Sequence, residues 1–283
     1  MKKIKLVIAI FLGLMVLDLG MYLFYPNVRS LRKTHPVRTA FMRYREKEWK
    51  KEGLHKKITQ RWVPYSDISP YLKKAVLIGE DDKFWHNDGF ELNSMEAAMV
   101  KDIKAGKFKF GASTVTQQLA RNLYLSPSKT LLRKMKEAIL TWRINRELSK
   151  KRILELYLNV AEWGDGIFGI GAASYHYYGK PASALTPSEA ARLASILPNP
   201  VRFSPLKPDA YVKRRSKAIY DIMVRRGVVK ELDRAVTQME EEGPSGMENS
   251  PTAAPVSNGL TNAPVSLMEQ NNQMSPQNQQ PSP

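Results

Sequence analysis

Three groups of residues in this chain have the types and spacing to do chemistry. The first is the carboxylate triplet Glu80, Asp81 and Asp82, inside the stretch GEDDKFWHNDGF. It follows the apolar run YLKKAVLI, which places Glu80 at or just past the C-terminal end of a helix, where the macrodipole disfavours acids. Adjacent carboxylates also repel one another and favour keeping a proton. Such a triplet reads either as a solvated acidic turn or as acids approaching a cleft. The apolar and aromatic flanks, and the conflict with local electrostatics, shift the balance to the cleft. The second group lies in GASTVTQQLARN: Ser113, Thr114 and Thr116 at a helix start, then Gln117, Gln118, Arg121 and Asn122. Hydroxyls and free N–H groups at a helix N-terminus can hold an anion. A capping box accounts for Thr114 and Gln117, but not for the other hydrogen-bonding groups that follow. The third group is Arg133, Lys134 and Glu137 in LLRKMKEAIL. At i, i+4 and i, i+3 these pair on one face, opposite a Leu/Met/Ile stripe. Alone they read as surface salt bridges contributing about 0.2–0.5 kcal/mol each.

The elements that must position these groups are nearly all helical. SPYLKKAVLIG has Ser69 as N-cap, Pro70 at the first helical position, and Leu72, Ala75, Val76 and Gly79 at helical spacing. NSMEAAMVKDIKAG reads as a second helix closed by Gly106. Thr114-x-x-Gln117 opens a third, with Leu119, Leu123 and Tyr124 on its apolar side. A fourth starts at Ser126-Pro127, with Ser126 as its cap, and is expected to bury Leu131, Leu132, Met135, Ile139 and Trp142. Ser149 caps KKRILELYLN, and Thr186-Pro-Ser-Glu189 is a capping box opening SEAARLASIL, which stops at Pro198. Strand signals are few and short, so the expected fold class is mainly α.

Composition bounds the rest. The chain has 283 residues, 43% of them apolar, enough for a large core, and a formal net charge of +17. All 44 Lys and Arg lie before position 243, which suggests a polyanionic partner such as nucleic acid, anionic lipid or a phosphorylated substrate. No cysteine is present, which removes disulfides, thiolate metal sites and cysteine nucleophiles, and the four scattered His form no zinc motif. After a short N-terminus at 1–5, residues 6–25 are apolar for long enough to span a membrane, and lack the small-residue end of a cleaved leader. Asp18 inside that span costs about 2.5–3.5 kcal/mol at mid-helix on insertion scales, and either pairs or snorkels. Lys and Arg flank both ends, so the positive-inside rule alone does not orient it. Residues 26–60 read as a juxtamembrane linker, 61–230 as the working domain, and 243–283 as a disordered tail rich in Pro, Ser, Asn and Gln.

In this order, the segments resemble the peptidoglycan glycosyltransferases, family 51, and within them the monofunctional biosynthetic type. The likeness runs from Trp62 to Arg226. EDDKFWHNDGF resembles the first family motif and GASTVTQQLARN the second. RKMKE and RILELYLN are similar to the third and fourth, and RRSKAIYDIM to the fifth, where two arginines precede an apolar helix. Asn87 stands where the family has His, with His86 one residue early, and Arg121 stands where it has Lys. Arg keeps the charge and can grip phosphate oxygens in a bidentate manner.

The resemblance implies a lysozyme-like helical glycosyltransferase domain outside the cytoplasm, held by one transmembrane helix in a bacterial inner membrane. It implies lipid II and a growing glycan strand as partners, with other cell-wall proteins as further candidates and nucleic acid not expected. Glu80 then matches the catalytic base, with Asp81 as companion acid and Phe84 as a supporting motif residue, whereas Asp82 is only solvated. Glu137 matches the second acidic residue, orienting the basic cluster or a divalent cation (Mg or Mn). Arg121, Arg133 and Lys134 are the candidates for the leaving pyrophosphate, with Ser113, Thr114, Gln117, Gln118 and Asn122 supporting. No closed metal site is spelled out. KAGKFKF reads either as a membrane-touching lip or as an exposed basic loop. Ser126-x-x-Lys129 has no KTG after it, so it is not read as a transpeptidase motif. A glycan-cleaving lysozyme-like enzyme and a non-catalytic membrane-anchored scaffold are the rival readings.

Overall fold

The computed structural model describes residues 2–91 and 113–229. They fall within the first of two compact units, Met1–Glu241 and Glu242–Pro283. The expected helix at 93–106, the KAGKFKF segment and the Pro/Gln-rich tail lie outside the described residues.

Nine helices are described: α1 (Lys2–Met21), α2 (Ala40–Lys51), α3 (Pro70–Glu80), α4 (Val115–Tyr124), α5 (Leu131–Glu147), α6 (Lys150–Val160), α7 (Ile170–Tyr178), α8 (Pro187–Ile196) and α9 (Ala210–Arg225). Three short strands, β1 (Thr59–Gln60), β2 (Glu162–Gly164) and β3 (Ile167–Phe168), form a sheet in the order β1-β3-β2. β1 runs parallel to β3, Thr59 opposite Ile167, and β2 runs antiparallel to it. The fold is mainly α, the lysozyme-like helical class expected.

Local chemistry explains most helix starts. Thr114 and Thr186 each accept from the third helical N–H, while the Gln117 and Glu189 side chains bond back to the cap N–H, giving two capping boxes. Ser149 caps α6 and Asp209 caps α9 in the simpler way. The core is formed chiefly where α3, α4, α6, α8 and α9 meet, with Leu72, Val76, Leu119, Leu154, Leu193 and Ile196 fully buried. Truncating any of these leucines to Ala would cost about 2–5 kcal/mol. Asn159, also fully buried, ties the end of α6 to the strand side: it accepts from Val63 N–H at 2.7 Å and donates to Val63 C=O at 2.8 Å. Gly169 (φ +79) follows β3, and a Cβ there would stand 2.6 Å from Asn159 C=O. Only glycine fits that close approach without a shift.

Several expectations are corrected. Ser69 precedes α3 but does not cap it; its hydroxyl donates to Leu185 C=O, and Pro70 at the first position needs no N–H partner. α5 begins at Leu131 with Thr130 as cap, not at Ser126, whose hydroxyl instead meets Ser128 at 2.9 Å. The expected buried face of α5 is turned outward: Leu131, Met135 and Trp142 are 71%, 42% and 48% exposed, and Leu132 and Ile139 only partly buried. The inward face is Glu137, Leu140, Thr141 and Ile144. Periodicity says which side chains share a face, not which phase that face meets; here Arg133 and Lys134 neutralise Glu137 and let a charged face turn inward. Residues 26–60 are not a bare linker, since they carry α2 and β1 and bury Val28, Leu31, Met42 and Trp49.

α1 has 20 residues, a mean hydropathy of 2.3 over its most apolar window and no buried residue. At 1.5 Å per residue it matches a hydrocarbon core of about 30 Å. Its last turn is fastened to α5. Asp18 pairs with Lys136 at 2.6 Å, and Arg143 donates to the carbonyls of Tyr22 (2.9 Å) and Phe24 (3.0 Å).

Candidate active site

The triplet is split by the end of α3 into three different environments. Glu80 is the last residue of the helix and its side chain is 11% exposed. One oxygen accepts from Gln118 Nε2 at 2.8 Å, the other from Arg215 Nη2 at 3.0 Å. Arg215 also donates to Gly79 C=O at 2.7 Å, so a cation sits at the C-terminal end of α3, where the helix dipole favours it. Tyr157 donates to Gln118 Oε1 at 3.1 Å, which fixes the amide with its NH₂ group toward Glu80. Burial, and secondarily the Glu80 charge, hold the Tyr157 phenol well above its usual range, so it remains a donor. Burial raises the Glu80 carboxyl above the usual carboxylate range, while the Gln118 hydrogen bond and the Arg215 and Arg121 charges pull it back toward ionisation.

Asp81 is buried and structural. Its oxygens accept from Val115 N–H at 3.0 Å and Asn87 Nδ2 at 2.8 Å. Val115 is the first residue of α4, so Asp81 joins the C-terminal end of α3 to the N-terminal end of α4. Burial raises the Asp81 carboxyl, against the pull of those two donors and of Lys150. Asn87, at the position of the family histidine, also accepts from Gly89 N–H at 3.0 Å and Lys150 Nζ at 3.1 Å. Thr114 Oγ1 donates to Gly89 C=O at 2.7 Å, latching the first motif to the second. Phe84 is fully buried beneath Lys150, whose ammonium lies 4.9 Å from the ring centroid. Asp82 is not merely solvated: it forms a bidentate pair with Arg226, both side chains half exposed, and that pairing lowers its carboxyl below the usual value.

A cavity of about 420 Å³ opens over Glu80, lined also by Ser113, Gln118, Arg121, Tyr211 and Arg215. That size falls within the roughly 300–1,000 Å³ of small-molecule sites. A second cavity of about 180 Å³ shares Gln118 and Arg121 with it and reaches Asn122 and the Arg45–Glu162 pair. Glu137, fully buried on α5, pairs with both Arg133 and Lys134. Lys134 Nζ also reaches Ser113 Oγ at 3.4 Å, so Ser113 connects this cluster with the lining of the larger cavity. The buried Nε atoms of Arg133 and Arg215 have no partner among the described residues. Thr114 and Gln117, expected as ligand donors, are engaged in the capping box. Around Glu137 the donor set does not fit a divalent cation, because two cations already hold its carboxylate. Among the described residues no group of three or more His, Asp or Glu could hold a metal ion.

Glu80, Ser113, Thr114, Gln118 and Arg121, all singled out in the sequence, line one cavity. Sequence reasoning did not single out Arg215, Tyr157 or Lys150. For Arg215 the signal was present: with Val212 and Ile219 it falls on the buried face of α9, an unusual position for an arginine without a partner inside.

A buried carboxylate held between an amide and a guanidinium, with further cations beside it, has the chemistry to accept a proton next to an anionic group. A sequence model of the Transglycosylase family matches residues 46–224. The chain is 47% identical over 169 residues to a biosynthetic peptidoglycan transglycosylase of Nitrosomonas eutropha, covering 60% of this chain and 69% of that one. It is 46% identical over 179 residues to one of Azoarcus sp., 63% of this chain and 78% of the other. A third, of Janthinobacterium sp., is 40% identical over 213 residues, 75% and 90% of the two chains. The chain belongs to the transglycosylase family and is an enzyme of the glycosyltransferase class.

Proposed function

We propose that this enzyme polymerises lipid II into peptidoglycan glycan strands, with Glu80 as the general base. The observation that carries the reading is the Glu80 carboxylate, almost enclosed, with Arg215 on one oxygen and Gln118 on the other. A sugar hydroxyl is a weak nucleophile, and a carboxylate within hydrogen-bond reach must accept its proton as it attacks. The 4-hydroxyl oxygen of incoming lipid II bonds to C1 of the muramoyl sugar of the growing chain. The C1–O bond to pyrophosphate breaks, its electron pair leaves with undecaprenyl pyrophosphate, and the hydroxyl proton goes to Glu80. Attack from the opposite face inverts the α linkage to β-1,4. Burial makes Glu80 a stronger base than a solvated carboxylate, and Arg215 and Arg121 keep it ionised and ready.

The developing negative charge on the pyrophosphate needs fixed positive charge where it appears. Arg121 at the cavity wall, and Arg133 and Lys134 through the Ser113 side, supply it. Glu137 orients those two cations. α1 is the single anchor in a bacterial inner membrane, with the catalytic domain on the extracytoplasmic face where the lipid substrate lies. Other cell-wall synthesis proteins are the expected protein partners.

The test is incubation of the purified full chain with lipid II. Polymer together with released undecaprenyl pyrophosphate is the expected result; shortened glycan with no polymer would show a cleaving enzyme instead. Glu80→Gln keeps the contact with Arg215 but cannot take a proton, and polymerisation persisting at the wild-type rate would sink the assignment of the base.

A further inference from the structure

A third cavity, of about 340 Å³, lies where the chain leaves α1 and shares no lining residue with the one over Glu80. Leu23 and Phe24, 47% and 83% exposed, form one wall, directly after the end of α1. The last turns of α5 form the other, with Trp142, Arg143 and Arg146, and Arg29 closes it from the following 3₁₀ turn. Three guanidinium groups thus face one carboxylate, Glu147, and that carboxylate is already held by Arg32 at 3.0 Å. Arg29 stands 3.9 Å from Glu147 and is 74% exposed. Arg146 lies against the Trp142 ring, 5.5 Å from its centroid, and has no carboxylate within ion-pair distance among the described residues. Arg143 spends two donors on the carbonyls of Tyr22 and Phe24, which leaves its positive charge uncancelled and pins the exit turn against α5.

We infer that this cavity binds the phosphate headgroup of an anionic membrane phospholipid. The inference rests on the reading of α1 as a membrane anchor, which puts a cavity three residues past its end at the level of the headgroups. Excess guanidinium charge there matches a phosphodiester, which arginine grips through paired N–H groups. Trp142, half exposed beside it, has the apolar body and polar edge that place this side chain at membrane–water boundaries. The outward stripe Leu131, Met135 and Trp142 gives the acyl chains an apolar neighbour, which a free phosphate would not need. The site also accounts for Arg29 and Arg32 on the domain side of the span, an excess of positive charge that orientation by cytoplasmic charge does not call for.

The full chain in detergent micelles is titrated with phosphatidylglycerol or with phosphatidylcholine, and retained lipid is counted by native mass spectrometry. The wild-type chain is expected to retain phosphatidylglycerol in preference. Arg146→Gln lowers that preference about fivefold, and Arg29→Gln with Arg146→Gln about twenty-five-fold. Both side chains are exposed, so neither change threatens the fold. Lys51→Gln, the same charge removed outside the cavity, leaves the preference unchanged. Equal retention of the two lipids overturns the inference, as does an equal effect of Lys51→Gln. Resistance of the membrane-bound chain to carbonate extraction tests the anchor separately, so failure there leaves the micelle result to stand or fall alone.

Discussion

Replacing Arg215 by Gln removes the cation 3.0 Å from Glu80 Oε1 and leaves Gln118 and Arg121 in place. An opposite charge at this range lowers a carboxylate pKa by about one to three units. Arg215 is 28% exposed and Arg121 remains, so its loss raises the Glu80 carboxyl by less than removal of a fully buried sole partner would. The direction follows from the base role. Glu80 must be ionised to accept a proton, burial already raises its carboxyl, and loss of Arg215 raises it further. The acid limb of kcat/KM therefore moves to higher pH, with a loss of about tenfold or more at a pH on that limb and much less well above it. Initial rates of lipid II consumption by the purified full chain across pH give the measurement. Arg215→Lys, which keeps the charge, should bring the limb back toward its wild-type position. A limb that stays in place under a uniform loss of rate would refute the reasoning, since Arg215 would then act on substrate rather than on Glu80. A shift to lower pH would refute it outright.

Glu137→Ala leaves two cations facing each other without their carboxylate, and costs about 3–5 kcal/mol of stability. Arg133 and Lys134 are 14% and 21% exposed and can partly rehydrate, so calorimetry should place the loss near the lower end, with Glu137→Gln intermediate. Asn87→Ala strips Asp81 of its 2.8 Å donor and costs about 1–3 kcal/mol in denaturant unfolding, whereas Asn87→His retains a ring N–H for Asp81 and most of the activity. Asp82→Asn breaks an ion pair whose two sides are each 50% exposed, so the loss at neutral pH is about 0–1 kcal/mol. Arg226 lowers the folded-state Asp82 carboxyl, so its contribution is present above the unfolded pKa and disappears as pH falls through the folded one. Wild type and variant should become equally stable in strong acid.

Helix starts were the most legible part of the fold, because a cap is a local event: Thr114, Ser149 and Thr186 act as their sequences indicate. What α5 does with its faces was not legible. Its apolar stripe is real, but Leu131, Met135 and Trp142 look outward, and the ion-paired face looks in. No periodicity distinguishes a protein core from another apolar surrounding. Within the site, Glu80 stood out by its position against the dipole. Arg215 and Tyr157 come from distant segments, and only tertiary packing brings them to Glu80 and Gln118. Asp82 looked solvated because its partner, Arg226, lies 144 positions away.

The fastening of α1 to α5 has a mechanical consequence. Asp18 stands in the last turn of the helix, sixteen residues from Lys2, which is about 24 Å of axial rise. A domain on a loose tether would float at any height above the surface. If α1 is the proposed anchor, then with Asp18 on Lys136 and the exit turn held by Arg143, the angle and altitude of the cavity over Glu80 follow how α1 sits in the bilayer. Under the proposed anchoring, a thicker or thinner membrane tilts the enzyme as well as its anchor, and bilayer thickness becomes an input to the rate of polymer synthesis.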